Sequence, residues 1–176
     1  MTERKNQGNV IIREGRLEDV EAVLNIQRDV ILEDQYLITA SEEFHNSVEQ
    51  QRDWLQKILN NDRETLLVAE LNNKVVGWIV FQSPNRKRLA HTGSFGMMIQ
   101  KEYRGFGIGK KLINELLNWA EKNPLIEKVS LGVFSTNLRA IELYKSMGFI
   151  EEGRKINEIK INDDEYADDI LMYKMV

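Results

Sequence analysis

The chain contains no cysteine, so disulfides, thiolate metal ligands and a cysteine nucleophile are all excluded. Histidine is scarce: His45 and His91 are the two among 176 residues, too few for a histidine-rich metal site. No apolar run approaches the roughly 20 residues that cross a bilayer. The N-terminus, Met1-Thr2-Glu3-Arg4-Lys5-Asn6-Gln7-Gly8-Asn9, lacks the apolar segment of a signal peptide. Neither sign of charge is in large excess. With 24 basic and 28 acidic residues the net charge is -4, which gives no electrostatic reason to expect binding to nucleic acid or to a membrane surface. These absences lead us to expect a cytoplasmic protein without a metal ion.

What is present is an ordinary globular balance, 42% hydrophobic and 30% charged, and a length suited to one domain with a sizeable core. We expect a flexible tail over residues 1–9 and a single domain over 10–176. Val10 to Arg13 has the character of a short strand. Leu17, Val20, Val23, Leu24, Ile31 and Leu32 are spaced as one face of a helix over 17–32, and Val48, Gln51, Leu55, Ile58 and Leu59 repeat that spacing over 47–60. Thr65 to Leu71 and Lys74 to Gln82 are expected strands joined by Asn72-Asn73, a tight-hairpin signal because Asn tolerates positive φ. Leu89 to Ile99 is expected to be one long strand. Ile108, Leu112, Leu116 and Ala120, widened by Ile113 and Leu117, give the clearest helix, over 107–123, closed by Asn123-Pro124. A strand over 129–134, a helix over 137–147 stopped at Gly148, and two strands over 149–161 and 166–175 complete the order. The expected fold class is α/β (α+β): a mostly antiparallel mixed sheet flanked by helices.

The segment richest in chemistry is Ile99-Gln100-Lys101-Glu102-Tyr103-Arg104-Gly105-Phe106-Gly107-Ile108-Gly109-Lys110. A strand enters a turn with glycines at alternate positions, and a long amphipathic helix follows at once. Glycines allow close backbone approach, and the free N–H groups and positive dipole end of the helix then suit a pyrophosphate. The plain alternative is a tight connection without a ligand. Two familiar phosphate motifs do not fit. A P-loop needs Ser or Thr after Gly109-Lys110, where Lys111 stands, and the dinucleotide pattern needs a third glycine where Leu112 stands.

Arg104-Gly105-Phe106-Gly107-Ile108-Gly109 resembles the Arg/Gln-x-x-Gly-x-Gly/Ala signature of the GNAT acetyltransferases. Asn137-Leu138-Arg139-Ala140-Ile141-Glu142-Leu143-Tyr144-Lys145-Ser146-Met147-Gly148-Phe149 resembles that family's Asn-x-x-Ala-x-x-x-Tyr-x-x-x-Gly-Phe segment. The resemblance implies the GNAT fold, with strands ending at Ile99 and Phe134 splayed into a cleft, and acetyl-CoA as the acetyl donor. It implies that Met97, Met98 and Ile99 pair with the pantetheine arm. Arg104, Gly105, Phe106, Gly107, Ile108, Gly109 and Lys110 would hold the pyrophosphate. Asn137 and Ala140 would lie along the cofactor arm, and Tyr144 would both contact the cofactor and act as general acid. A phenol of ordinary pKa about 10 suits protonation of a departing thiolate. The alternative for Tyr144 is packing beside Ile141 and Met147.

Some members of the family, notably those acting on protein N-termini, carry a glutamate base where this chain has Gly132. Glu33, Asp34, His45 and His91 are candidate bases, each with a surface or packing reading of its own. The stretches Tyr144 to Gly153 and Tyr166 to Asp169 resemble members that acetylate amino acids and small amines, and the Gly-Phe-x-x-Glu-Gly ending also occurs in those modifying ribosomal-protein N-termini. The acceptor is therefore expected to be a small amine or amino acid, with a protein N-terminus as the alternative and a non-catalytic acetyl-CoA-binding module as a third reading. Polar residues 33–46 fall where the family shapes its acceptor pocket. The basic run Asn85-Arg86-Lys87-Arg88 reads as a solvated loop or as an attractor for an anionic acceptor. Relatives are often dimers, so a homodimer is a possible assembly.

Overall fold

The computed structural model describes residues 9–176. Most of the expected 1–9 tail lies outside them. Seven strands form one sheet: β1 (Ile11–Glu14), β2 (Thr65–Leu71), β3 (Lys74–Gln82), β4 (Thr92–Ile99), β5 (Lys128–Phe134), β6 (Ile150–Lys160) and β7 (Tyr166–Met175). Their order across the sheet is β1-β2-β3-β4-β5-β7-β6. Every neighbouring pair is antiparallel except β4 with β5, which runs parallel. The sheet is thus mixed and mostly antiparallel, as the residue pattern suggested.

Four helices flank it: α1 (Val20–Ile31), α2 (Val48–Leu59), α3 (Ile108–Lys122) and α4 (Leu138–Ser146). Strand alternation assigns them to two faces. Leu66, Val68, Trp78 and Val80 point one way, into a core with Val20, Val23 and Ile26 of α1 and Leu55 and Ile58 of α2. Leu67, Ala69, Ile79 and Phe81 point the other way, against Leu112, Ile113, Leu116 and Leu117 of α3. Being buried on both faces, β2 and β3 read as continuous apolar runs rather than as alternating ones.

Asn72 and Asn73 have φ of 51° and 61°, the left-handed pair that a two-residue hairpin requires. Two expectations need adjustment. The long strand expected from Leu89 begins at Thr92, because Leu89 N–H and Thr92 N–H bond back to Arg86 and Leu89 in successive turns. Residues 33–46, read as irregular, contain a short 3-10 turn at Ser41–Glu43. The basic run Asn85–Arg88 precedes β4 and is absent from the residues lining the cleft, which draws on β4 from Phe95 onward.

Candidate active site

The defining irregularity is where β4 and β5 part. Thr92, Gly93 and Ser94 pair with Lys128, Val129 and Ser130, and there the parallel ladder stops. Beyond it β4 continues to Ile99 on β3 alone, while β5 continues to Phe134 on β7 alone. A cleft of about 560 Å³ fills the opening, lined by residues of β4, β5, the turn before α3, and α4.

Backbone geometry decides which amides face that opening. Gln100 N–H donates to Val76 O at 3.0 Å. Antiparallel pairing alternates, so the main-chain groups of Met98 and Gly96 also serve β3, and those of Met97 and Ile99 face the cleft. Met97 and Ile99 thus offer main-chain groups there, whereas Met98 lines the cleft with its side chain.

At the mouth lies the turn into α3. Gly105 and Gly107 have φ of 88° and 79°, a region costly for residues with a Cβ. A Cβ on Gly107 would meet open space, so the backbone torsion, not crowding, calls for glycine. Gly107 is also the N-cap of α3, and no side chain caps that helix. Its first-turn amides therefore stay available to an anion. Gly109 has a different reason: a Cβ there would sit 3.2 Å from Met97 Cε and 3.5 Å from Ile99 Cδ1, so glycine lets the start of α3 lie close on β4.

Arg104 is engaged within the cleft lining by an ion pair. Its Nη1 and Nη2 donate to Glu33 Oε2 and Oε1, each at 2.7 Å, and its Nε donates to Ile99 O at 2.8 Å. The bidentate pair ties the end of α1 to the turn. The Arg104 guanidinium holds the Glu33 carboxyl below the usual carboxylate range, against an opposing contribution from burial. Glu33 is therefore a weak base, already committed to an ion pair. Asp34, His45 and His91 are exposed and absent from the cleft lining.

Asn137 caps α4: its Oδ1 accepts from Ala140 N at 3.3 Å, which leaves the Asn137 amide NH2 for the cleft. Tyr144 projects from α4, ring edge against Phe95 at 5.8 Å and Phe149 at 6.2 Å. Burial pushes its phenol up to about 12, so it stays protonated through neutral pH. The Tyr144 packing reading is correct as far as Phe95 and Phe149 go, yet the residue also lines the cleft. Of the residues singled out in the sequence, Met97, Met98, Ile99, Arg104, Gly105, Gly107, Ile108, Gly109, Lys110, Asn137, Ala140 and Tyr144 converge on this one opening. Phe106 does not: it is exposed and turned away from it. The lining also includes Tyr36, whose ring meets Phe134 edge-on at 6.4 Å, and Gly96, which the sequence reading did not single out. Tyr36 belongs to the 33–46 stretch expected to shape the acceptor pocket, and no periodicity marks Gly96.

Residues 30–149, roughly two thirds of the chain, match the Acetyltransferase (GNAT) family. The chain is 25% identical over 122 residues to the L-amino acid N-acetyltransferase AaaT of Escherichia coli (strain K12), covering 69% of this chain and 75% of that protein. It is 29% identical over 133 residues to the Spermidine N(1)-acetyltransferase of Vibrio cholerae, covering 75% of each. Among solved structures, a GNAT-family acetyltransferase from Streptococcus pneumoniae superposes with a TM-score of 0.90 at 27% identity, over 96% of this chain and all of that one.

Proposed function

The chain belongs to the GNAT acetyltransferase family, which draws its acetyl group from acetyl-CoA, and on that premise we propose that residues 10–176 form one catalytic unit acetylating a small primary amine, either a free amino acid or a polyamine. The observation that carries this reading is the end of β4–β5 pairing at Ser94 and Ser130, with the uncapped start of α3 at the mouth of the gap. Free main-chain groups there have no partner strand to satisfy them and suit an extended ligand with amides of its own.

In this reading the α3 first-turn amides, from Ile108 to Lys110, bind the diphosphate. Met97 and Ile99 hold the arm through their main chains, and Asn137 adds its free amide. The Met97 N–H, fixed in place before the reaction, stabilises the oxyanion that forms at the thioester carbonyl. Tyr144 gives its proton to the departing thiolate; burial, which raises the phenol to about 12, keeps it protonated until the C–S bond breaks. The small-amine acceptor is favoured by the two relatives named for amino-acid and spermidine acetylation.

A thiol-release assay with acetyl-CoA and L-leucine, L-phenylalanine, spermidine or an alanine-initiated peptide tests the proposal. Turnover of an amino acid or of spermidine, and not of the peptide, is the expected result. Turnover of the peptide alone would transfer the assignment to protein N-termini. Calorimetric binding of acetyl-CoA without transfer to any amine would reduce the chain to a binding module.

A further inference from the structure

Two adjacent aspartates at the start of β7 differ in one respect. Asp168 is fully occupied: its carboxylate accepts from Arg154 Nη1 at 3.3 Å and Asn157 N at 2.9 Å. The Asp169 carboxylate accepts no hydrogen bond from any described residue. Its nearest cation is Lys155 Nζ, 3.9 Å from Oδ2, on an exposed and loosely held side chain. Yet the Asp169 side chain is only 14% exposed. Its oxygens are not sealed from solvent, so the carboxylate, met only at a distance by Lys155, is open to a further partner.

Its position indicates the partner. Asp169 pairs with Phe134 and Leu171 with Gly132, so these four share one face of the sheet, opposite Leu131, Val133, Ile170 and Met172. On that face the Asp169 carboxylate lies over Gly132: a Cβ there would come within 2.8 Å of Oδ1, and its three nearest neighbours would all be Asp169 atoms. Across the gap, a Cβ on Gly96 would meet nothing within 4 Å. Asp169 is not itself in the cleft lining; its carboxylate lies over Gly132, which is, and neither Gly132 nor Gly96 sets a side chain on that face where β4 and β5 part. Tyr144, packed against Phe95 and Phe149, belongs to the opposite face. An acid thus stands on one face, and on the other a carboxylate whose one ion-pair partner is Lys155 at 3.9 Å.

We propose that Asp169 is the acceptor site of this enzyme: its carboxylate binds the incoming ammonium and takes the first proton from it. The inference rests on the acetyltransferase reading above. An N–H bond of the ammonium breaks, an O–H bond forms on Asp169, and the nitrogen keeps the electron pair. That pair makes the N–C bond to the thioester carbonyl carbon, and the carbonyl π electrons move to oxygen. As the carbonyl re-forms, the C–S bond breaks, its electrons leave on sulfur, and sulfur takes the Tyr144 proton. The surplus proton on nitrogen restores the Tyr144 hydroxyl through solvent, and Asp169 releases its own to water. The sum is ammonium plus thioester giving amide, thiol and one proton. The charged group set against Asp169 is Lys155 from β6; β5 presents Gly132 and Phe134, which do not titrate.

The test follows acetyl transfer to spermidine and to L-leucine, with calorimetry of acetyl-CoA alongside. Asp169→Asn should lower kcat/KM about 100-fold near pH 7, with acetyl-CoA affinity unchanged. The loss should shrink to less than about tenfold near pH 10, where free amine is abundant and needs no base. Asp169→Ala combined with Gly132→Glu, which returns a carboxylate to the same space from β5, should regain about tenfold over Asp169→Ala. Asp163→Asn, in the exposed β6–β7 connection, should change nothing. Transfer by Asp169→Asn at the wild-type rate would overturn the inference and leave the enzyme standing. A loss equal at every pH and unrescued by the Gly132→Glu swap, or shared with acetyl-CoA binding, would overturn it too by reducing Asp169 to a structural residue. A wild-type protein that binds acetyl-CoA and transfers to neither amine would defeat the small-amine reading, and this inference with it.

Discussion

Helices α2 and α3 begin in opposite ways. At α2, Ser47 Oγ accepts from Gln50 N at 3.1 Å while Gln50 Oε1 accepts from Ser47 N at 2.9 Å, a reciprocal box that satisfies two orphan groups. At α3, Gly107 supplies a left-handed N-cap and no side chain. The first start is closed by its own sequence; the second leaves its amides for something else. The same positive dipole end serves stability in one helix and recognition in the other. The difference lies in a single residue type at the cap.

The largest break in this comparison should come from Gly107→Glu. It adds bulk, a strained torsion and a negative charge where the diphosphate would lie, and acetyl-CoA affinity by calorimetry should fall by more than about 100-fold. Unchanged affinity would contradict the open-start reading.

Tyr144→Phe should lower kcat about 100-fold with acetyl-CoA affinity retained. It also carries a pH signature. The folded phenol is raised to about 12 from 10, so between those values the folded state holds a proton that the unfolded state has lost. Tyr144 therefore stabilises the fold fully below pH 10, and its contribution falls as pH rises from about 10 to about 12, at most about 2–3 kcal/mol. Urea titrations of the wild type and Tyr144→Phe across that range should converge; parallel curves would remove the assignment.

The smallest effect sharpens the contrast. Ser47→Ala should cost about 1 kcal/mol of stability, read as a lower urea midpoint, and leave acetyl-CoA affinity untouched. A fall in affinity would mean that α2 contributes to the cleft.

Much of this site was legible in the chain because its signals are local. Gly105, Gly107 and Gly109 mark a turn by composition, and the Ile108–Ala120 stripe marks a helix by period. The order of elements from β1 to β7 follows from periodicity and punctuation. Longer-range contacts are not legible in this way. Arg104 is engaged by Glu33, 71 residues away, an ion pair that no motif announces. The grouping of Met97, Met98 and Ile99 was sound as a strand, but the alternation that separates them depends on which side β3 lies.

The family, the elements and the turn at α3 were readable along the chain, because those depend on residues within a few positions of one another. The tertiary structure alone decided that β4 and β5 separate after three residue pairs and that the Asp169 carboxylate fills the space Gly132 leaves empty. A carboxylate's surroundings are set by strand register and by which face its neighbours share, and those are properties of the folded sheet rather than of the chain.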